Sequence, residues 1–243
     1  MISGVLVAHQ PAYLPWPGFF SRLLDVDQFL LLDHVQFSRG GWQQRNYVRT
    51  AAGRQLMTVP VIHHAGQSIS QVQISGDRWR LRHWRTISQA YRRAPYYGQW
   101  SEQLEGIYAQ SWELLADLNV ALIELLLDAF GIRLRLLRSS HLQPAGRSTS
   151  MLASLCELTG STILRVGTGA AGTSGYLDQV LLADAGISVE VASYTNWPYP
   201  QAFPGFTGSL SALDLLLNCG PKAREILAEG SVIARLTGEA VAG

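Results

Sequence analysis

The chain has 243 residues, 47% hydrophobic and only 15% charged, with 19 basic side chains against 18 acidic ones. Charge this close to neutral argues against a dedicated nucleic-acid binder, which carries a net basic field. Lys222 is the only lysine and no glycine-rich phosphate motif precedes it, so a lysine Schiff base and a P-loop are both excluded.

Val5 to Ala8 reads as a short buried strand, followed by a proline-punctuated loop from Gln10 to Pro17 and a helix from about Gly18 to Leu24. Gln28 to Leu32 is a second apolar run ending at Asp33. Continuous rather than alternating apolar patterning predicts strands covered on both faces, as in a parallel sheet. Tyr47 to Thr50 and Gln55 to Val61, split by Ala52-Gly53, predict a hairpin, and Ile69 to Ile74 another short strand. Asp77 is the expected N-cap of a helix running through Arg93 and stopped by Pro95. Leu114 to Phe130 has apolar residues at helical spacing up to Gly131.

From there strands and helices alternate. The expected order is strand Leu134 to Leu137, helix Ser150 to Leu158, strand Thr162 to Val166, a glycine-rich loop, helix Tyr176 to Ala185 and strand Ser188 to Ala192. Ser209 to Asn218 reads as a helix stopped by Cys219-Gly220-Pro221, and the residues from about 232 onward as a frayed tail. The predicted architecture is α/β, a mostly parallel sheet flanked by helices with a helical C-terminal half. It forms a single domain over 1–243, with a possible division near 131–146.

Two cysteines, Cys156 and Cys219, cannot make a disulfide framework or a four-cysteine zinc site. The start of the chain lacks the basic segment of a signal peptide, and the longest apolar stretch, Val120 to Phe130, is too short to span a bilayer. A soluble, cytoplasmic protein is expected, with no metal and no cofactor, since neither metal-ligand spacing nor a dinucleotide fingerprint occurs. His63-His64 has no cysteine or carboxylate at ligand spacing and reads as a surface pair.

Four segments could carry chemistry. His9-Gln10-Pro11-Ala12-Tyr13 follows the first strand, at the end where ligands bind in open α/β sheets; His9 there can act as base, acid or hydrogen-bond donor, or simply tie down the loop. Asp33 to Arg39, leading to Trp42, Arg45 and Asn46, follows the second strand on the same sheet edge. Asp33 would orient His9 or hold an ammonium, and Gln36, Trp42, Arg45 and Asn46 would bind substrate. The glycine-rich Gly167 to Gly175 could converge backbone amides on an anion or be a plain flexible loop. The fourth segment carries Gln201 and Asp214, the latter a carboxylate inside an apolar helix that must be paired if buried. Cys219, beside Gly220, is the one plausible nucleophile. Arg78, Arg80, Arg82, Arg85, Arg92 and Arg93 on one helix form either a solvated face or a dock for an acidic partner such as an acyl carrier protein.

The ordered blocks His9-Gln10-Pro-x-Tyr13-Leu-Pro15-x-x-Gly18-Phe-Phe, Asp33-x-Val-Gln36-x-Ser38, Trp42-x-x-Arg45-Asn46 and Thr58-Val-Pro60 resemble the WbqC-like family. Tyr176-Leu177-Asp178, Tyr199-Pro200-Gln201, Leu210-Ser211-Ala-Leu213-Asp214 and Asn218-x-Gly220 are similar to that family's C-terminal blocks. The glycine loop departs from the pattern, being longer and richer in alanine. Members are encoded in O-antigen, other polysaccharide and natural-product loci. The resemblance therefore implies a tailoring step joining or cyclising an amine and an activated acyl group, linked to a carrier protein or a nucleotide or presented as a small molecule; the near-neutral charge and the lack of a long apolar stretch leave neither nucleic acid nor membrane as an expected partner. The remaining readings are a nucleotidylyltransferase-like enzyme, for which the spacing from His9 to Gly18 is wrong, and a non-catalytic scaffold of a biosynthetic complex.

Overall fold

The computed structural model describes residues 4–171 and 177–236. In chain order the elements begin with β1 (Gly4–His9), α1 (Pro17–Ser21), β2 (Gln28–Leu31), the hairpin β3 (Arg45–Thr50) and β4 (Gly53–Thr58), β5 (Val61–Ile62) and β6 (Gln73–Ile74). Three helices follow, α2 (Arg78–Tyr91), α3 (Tyr97–Ala109) and α4 (Leu115–Ala129). The remainder is β7 (Arg135–Arg138), α5 (Ser148–Thr159), β8 (Ser161–Gly167), the single turn α6 (Thr168–Ala171), α7 (Gln179–Asp184), β9 (Ser188–Tyr194), α8 (Ala212–Cys219), α9 (Ala223–Gly230) and β10 (Ser231–Arg235).

Among the described residues, six strands form the main sheet in the order β10-β9-β8-β1-β2-β7. All neighbours pair in parallel except β10, which runs antiparallel to β9. The continuous apolar runs have their expected cause, burial on both faces. Val7, Phe29 and Leu31 pack with α1, α4, α8 and α9 on one side. Leu6, Leu30, Leu164 and Val166 pack with α5 and α7 on the other. A second core lies beneath the hairpin, α2 and α3. Helix α4 serves both cores, giving Leu115, Leu118 and Leu122 to one and Ile123, Leu126 and Leu127 to the other.

The chain leaves β1 toward β2 and β7 on one side, then returns after α5 to place β8 on the other side of β1. The order therefore reverses between β1 and β8. Such a switch point leaves a crevice outside the carboxyl ends of the two strands.

Several local expectations need correction. Asp77 is the N-cap residue of α2 as expected, but its carboxylate makes no capping hydrogen bond and pairs with Arg80 at 2.9 Å instead, and the helix ends at Tyr91 rather than Arg93. Ile69 to Ile74 is a 3₁₀ turn (Ile69–Gln71) that buries Ile69, followed by the short β6. Residues 231–235 form the edge strand β10 rather than a tail, while 237–243 lie outside the described residues. So does the stretch 172–176 of the glycine loop, whose first residues close β8 and form α6. Helix α7 starts at Gln179, capped by Asp178, whose carboxylate accepts from the Leu181 N–H at 3.1 Å. The stop of α8 is as read. Gly220 has φ +52, and a Cβ there would overlap the Tyr96 ring.

Candidate functional site

At the carboxyl end of β1 a cavity of about 280 Å³ is lined by His9, Ala12, Pro15, Trp16, Phe19, Trp42, Asn46 and Ser209. The sequence builds it locally. Pro17 fixes the first turn of α1, bringing Phe19 edge-on to His9 at 5.1 Å between ring centroids. Gly18 has no side chain because the Trp16 indole folds back over it, where a Cβ would overlap the ring. Two non-glycine residues beside the cavity, Leu14 (φ +44) and Ser209 (φ +56), are left-handed, and such strain is held only where surrounding contacts over-determine it. Here those contacts include Asn46 Nδ2 donating to the Leu14 carbonyl at 2.6 Å and the Ala212 N–H donating to the Pro15 carbonyl at 2.7 Å.

His9 is half-buried. Burial, with the positive charge of Arg22 nearby, lowers its pKa to about 4, against a smaller opposing pull from the Gln10 carbonyl. Its Nδ1 lies 2.8 Å from that carbonyl. A carbonyl can only accept, so Nδ1 carries the proton and Nε2 is the bare lone pair of a neutral imidazole. The ring is thus a base held in its unprotonated form beside an apolar pocket.

Arg22 is the residue that sequence reasoning missed. Its Nε donates to the Gly18 carbonyl at 3.2 Å. Burial pulls its pKa below the ordinary arginine value, yet a guanidinium remains charged. Its terminal nitrogens reach Gly167 at the end of β8, where a Cβ would stand 3.2 Å from Nη1. Among the described residues no carboxylate pairs with it. An arginine among Phe19, Phe20, Leu23 and Leu24 gave no signal beyond its apolar setting, because the neighbour it meets lies on a strand whose position only the sheet order reveals.

Of the expected site residues, His9, Trp42 and Asn46 come together in the cavity. Gln10 sits beside it, its Oε1 accepting from Gln43 Nε2 at 2.6 Å. Arg45 lies over the exposed Trp42 ring at 5.9 Å. The others are elsewhere. Tyr13 is fully buried and hydrogen-bonded to His83 and Tyr108, so it cannot meet substrate. Gln36 is exposed on a bridge to Ser68. Gln201 Nε2 donates to Asp214 Oδ2 at 2.7 Å, and Tyr199 donates to the same oxygen at 2.8 Å. Burial raises the pKa of Asp214 despite these donors, and together they form a core network.

Asp33 does not orient His9. It is 1% exposed and paired with Arg138 at 2.7 Å. It also accepts from the Ser140 N–H at 2.8 Å and the Ser140 hydroxyl at 2.9 Å. Burial pushes its pKa up, but Arg138 and Ser140 outweigh that and hold it below the usual carboxylate range. Cys219 is also corrected. It is buried in the core, and burial and the Asp214 charge push its thiol up to about 11, the reverse of what a nucleophile needs. Among the described residues no group of three or more His, Cys, Asp or Glu side chains is placed to hold a metal, and no helix is long and apolar enough to cross a membrane.

A helix-covered, mostly parallel sheet with a walled histidine pocket beside its switch point places the molecule among the doubly wound α/β proteins. More narrowly, it belongs to the WbqC-like protein family, whose model matches residues 10–226. It is similar to uncharacterized protein Rv1507c of Mycobacterium tuberculosis, with 32% identity over 225 residues that cover 90% of this chain and 95% of that one.

Proposed function

We propose that this chain is a biosynthetic tailoring enzyme that joins or cyclises an amine with an activated acyl group, presented on a nucleotide or a carrier protein, with His9 as general base. The observation that supports this reading is the neutral imidazole with a bare Nε2 at the cavity beside the switch point. The amine nitrogen attacks the acyl carbon, and the C–N bond forms as the bond to the sulfur or oxygen leaving group breaks. Nε2 takes the proton from nitrogen and returns it to the leaving group. Trp16, Phe19 and Trp42 exclude water from the acyl group.

Intact-mass assays of the purified protein against acylated carrier proteins and nucleotide-linked amino sugars test this. His9→Ala and His9→Gln should each lower turnover by roughly a hundredfold or more. Because the base form persists down to about pH 4, turnover should rise with pH through about 4 and then stay level. Wild-type turnover in both variants would reject the reading.

The carrier would meet α2. Arg78, Arg82 and Arg85 are exposed there, with Arg92 and Arg93 exposed just past its end, and among the described residues none of them forms an ion pair. Glu105 on α3 accepts from Trp84. The face ends in a cleft of about 690 Å³ lined by Arg92, Arg93, Gln55 and Thr50. Arg82→Glu with Arg85→Glu should weaken binding of an acidic carrier by on the order of 1–3 kcal/mol, and wild-type affinity should fall with salt. Turnover of a small soluble thioester should be unchanged. Unaltered, salt-insensitive carrier binding in the double variant would remove α2 as the dock.

A further inference from the structure

We propose that Arg22, facing the side-chain-free backbone of Gly167 across the β1–β8 switch point, is an anion subsite of the His9 pocket that takes a phosphate group of the substrate. The subsite rests on the reading of that pocket as the substrate site, and adds the chemical class of what occupies its charged end.

The carboxylates that could neutralise Arg22 are engaged elsewhere. Asp25 lies 3.8 Å from Arg224. Asp27 accepts from the Val5 N–H at 2.8 Å. Glu190 is held by Arg165 at 2.9 Å, with Arg235 at 3.6 Å. Arg22 has none of them; the only hydrogen bond its guanidinium makes among the described residues runs from Nε to the Gly18 carbonyl. A guanidinium taken largely out of water without a counterion is unfavourable, and it is kept where an anionic ligand supplies the missing charge.

The setting selects that ligand. Arg22 presents Nη1 and Nη2 as a planar fork, the geometry that grips two oxygens of one phosphate. Residue parity on β8 turns Gly167 toward the same face as Arg165, whose Nη1 donates to the Arg22 and Leu24 carbonyls. The absence of a Cβ at Gly167 lets the fork itself lie against the end of β8, where a side chain would stand 3.2 Å from Nη1. The neighbouring imidazole is neutral, so it neither repels nor competes for the cation, and α/β sheets gather phosphates at this position. Two sources share this chemistry, a nucleotide and the phosphopantetheine arm of a carrier.

The test is binding to the whole protein, independent of turnover, with the His9 ring followed by NMR. Inorganic pyrophosphate, a uridine diphosphate and pantetheine 4′-phosphate serve as probes, with acetate as the carboxylate control. Phosphate probes should bind and raise the His9 pKa by neutralising Arg22, and acetate should do neither at equal concentration. Arg22→Met should weaken phosphate binding at least tenfold and itself raise the His9 pKa, since a like charge has gone. Arg22→Lys, which keeps the charge but not the fork, should fall between. If Arg22→Met does not fold, the phosphate-induced shift of His9 in the wild type, set against acetate, still decides. Uridine diphosphate binding more tightly than pantetheine 4′-phosphate identifies a nucleotide-linked substrate, and the reverse a carrier arm. Equal binding by wild type and Arg22→Met, or no phosphate effect on His9, overturns the subsite. Phosphate binding that needs Arg22, alongside full turnover in His9→Ala, would leave the subsite standing and remove only the acid–base role.

Discussion

Asp33→Ala is expected to destabilise the fold by about 3–5 kcal/mol at neutral pH, the loss seen when one member of a buried ion pair is deleted. The variant leaves the Ser140 N–H without its acceptor, and Arg138 with only the partly exposed Asp117, 2.6 Å away. The pair joins the end of β2 to the end of β7, so the loss falls on the sheet edge rather than on the His9 pocket. Because the folded carboxyl sits below its usual pKa, its contribution is full above the unfolded value of about 3.9 and disappears as pH falls through the lowered folded value. Urea denaturation at pH 7 measures the loss, and the NMR titration of His9 should be unmoved in the same protein. A loss under about 1 kcal/mol together with a shifted His9 would restore Asp33 to the site.

That residue also shows where the sequence stops being informative. Asp33 and His9 end neighbouring strands, and that much was legible from two apolar runs closed by polar loops. What could not be read was that Arg138, 105 positions further on, would arrive beside Asp33, because pairing of β2 with β7 is set by sheet order. Long-range order likewise hid Arg22, whose role depends on β8 lying next to β1. Strands buried on both faces were legible because their apolar runs are continuous. Helix α3 was not, since it buries only Leu104 and Tyr108 and carries glycines at 98 and 106. Strand β10 escaped because all but its first residue are exposed, and it is held by backbone pairing to β9. Trp42 and Asn46, which line the cavity, stood out as an indole and an amide in a polar stretch. Tyr13 was misread for the same reason, as a polar group in a conspicuous loop, when its hydroxyl serves a buried histidine.

That histidine makes the protein sensitive to mild acid. His83 is 2% exposed, and burial, with Arg82 adjacent, lowers its pKa to about 4 against the pull of the Thr58 carbonyl. Its Nδ1 lies 2.8 Å from the Tyr13 hydroxyl, which lies 2.6 Å from that of Tyr108; in the neutral ring a bare Nδ1 accepts from Tyr13, leaving Tyr13 to accept from Tyr108. Protonating Nδ1 abolishes the acceptor that both tyrosines depend on, in a site walled by Trp79. The folded pKa lies below the unfolded value of 6.5, so the unfolded chain binds the proton first. Stability from His83 is therefore full above about pH 6.5 and is lost as pH falls toward 4. The gap corresponds to about 3 kcal/mol, and His9, shifted the same way but partly exposed, adds a smaller share. Denaturation midpoints between pH 7 and 4 should fall steeply in the wild type and less so in His83→Gln, whose side chain cannot take up a proton. Equal slopes in the two proteins would show that His83 is not what makes the fold acid-sensitive.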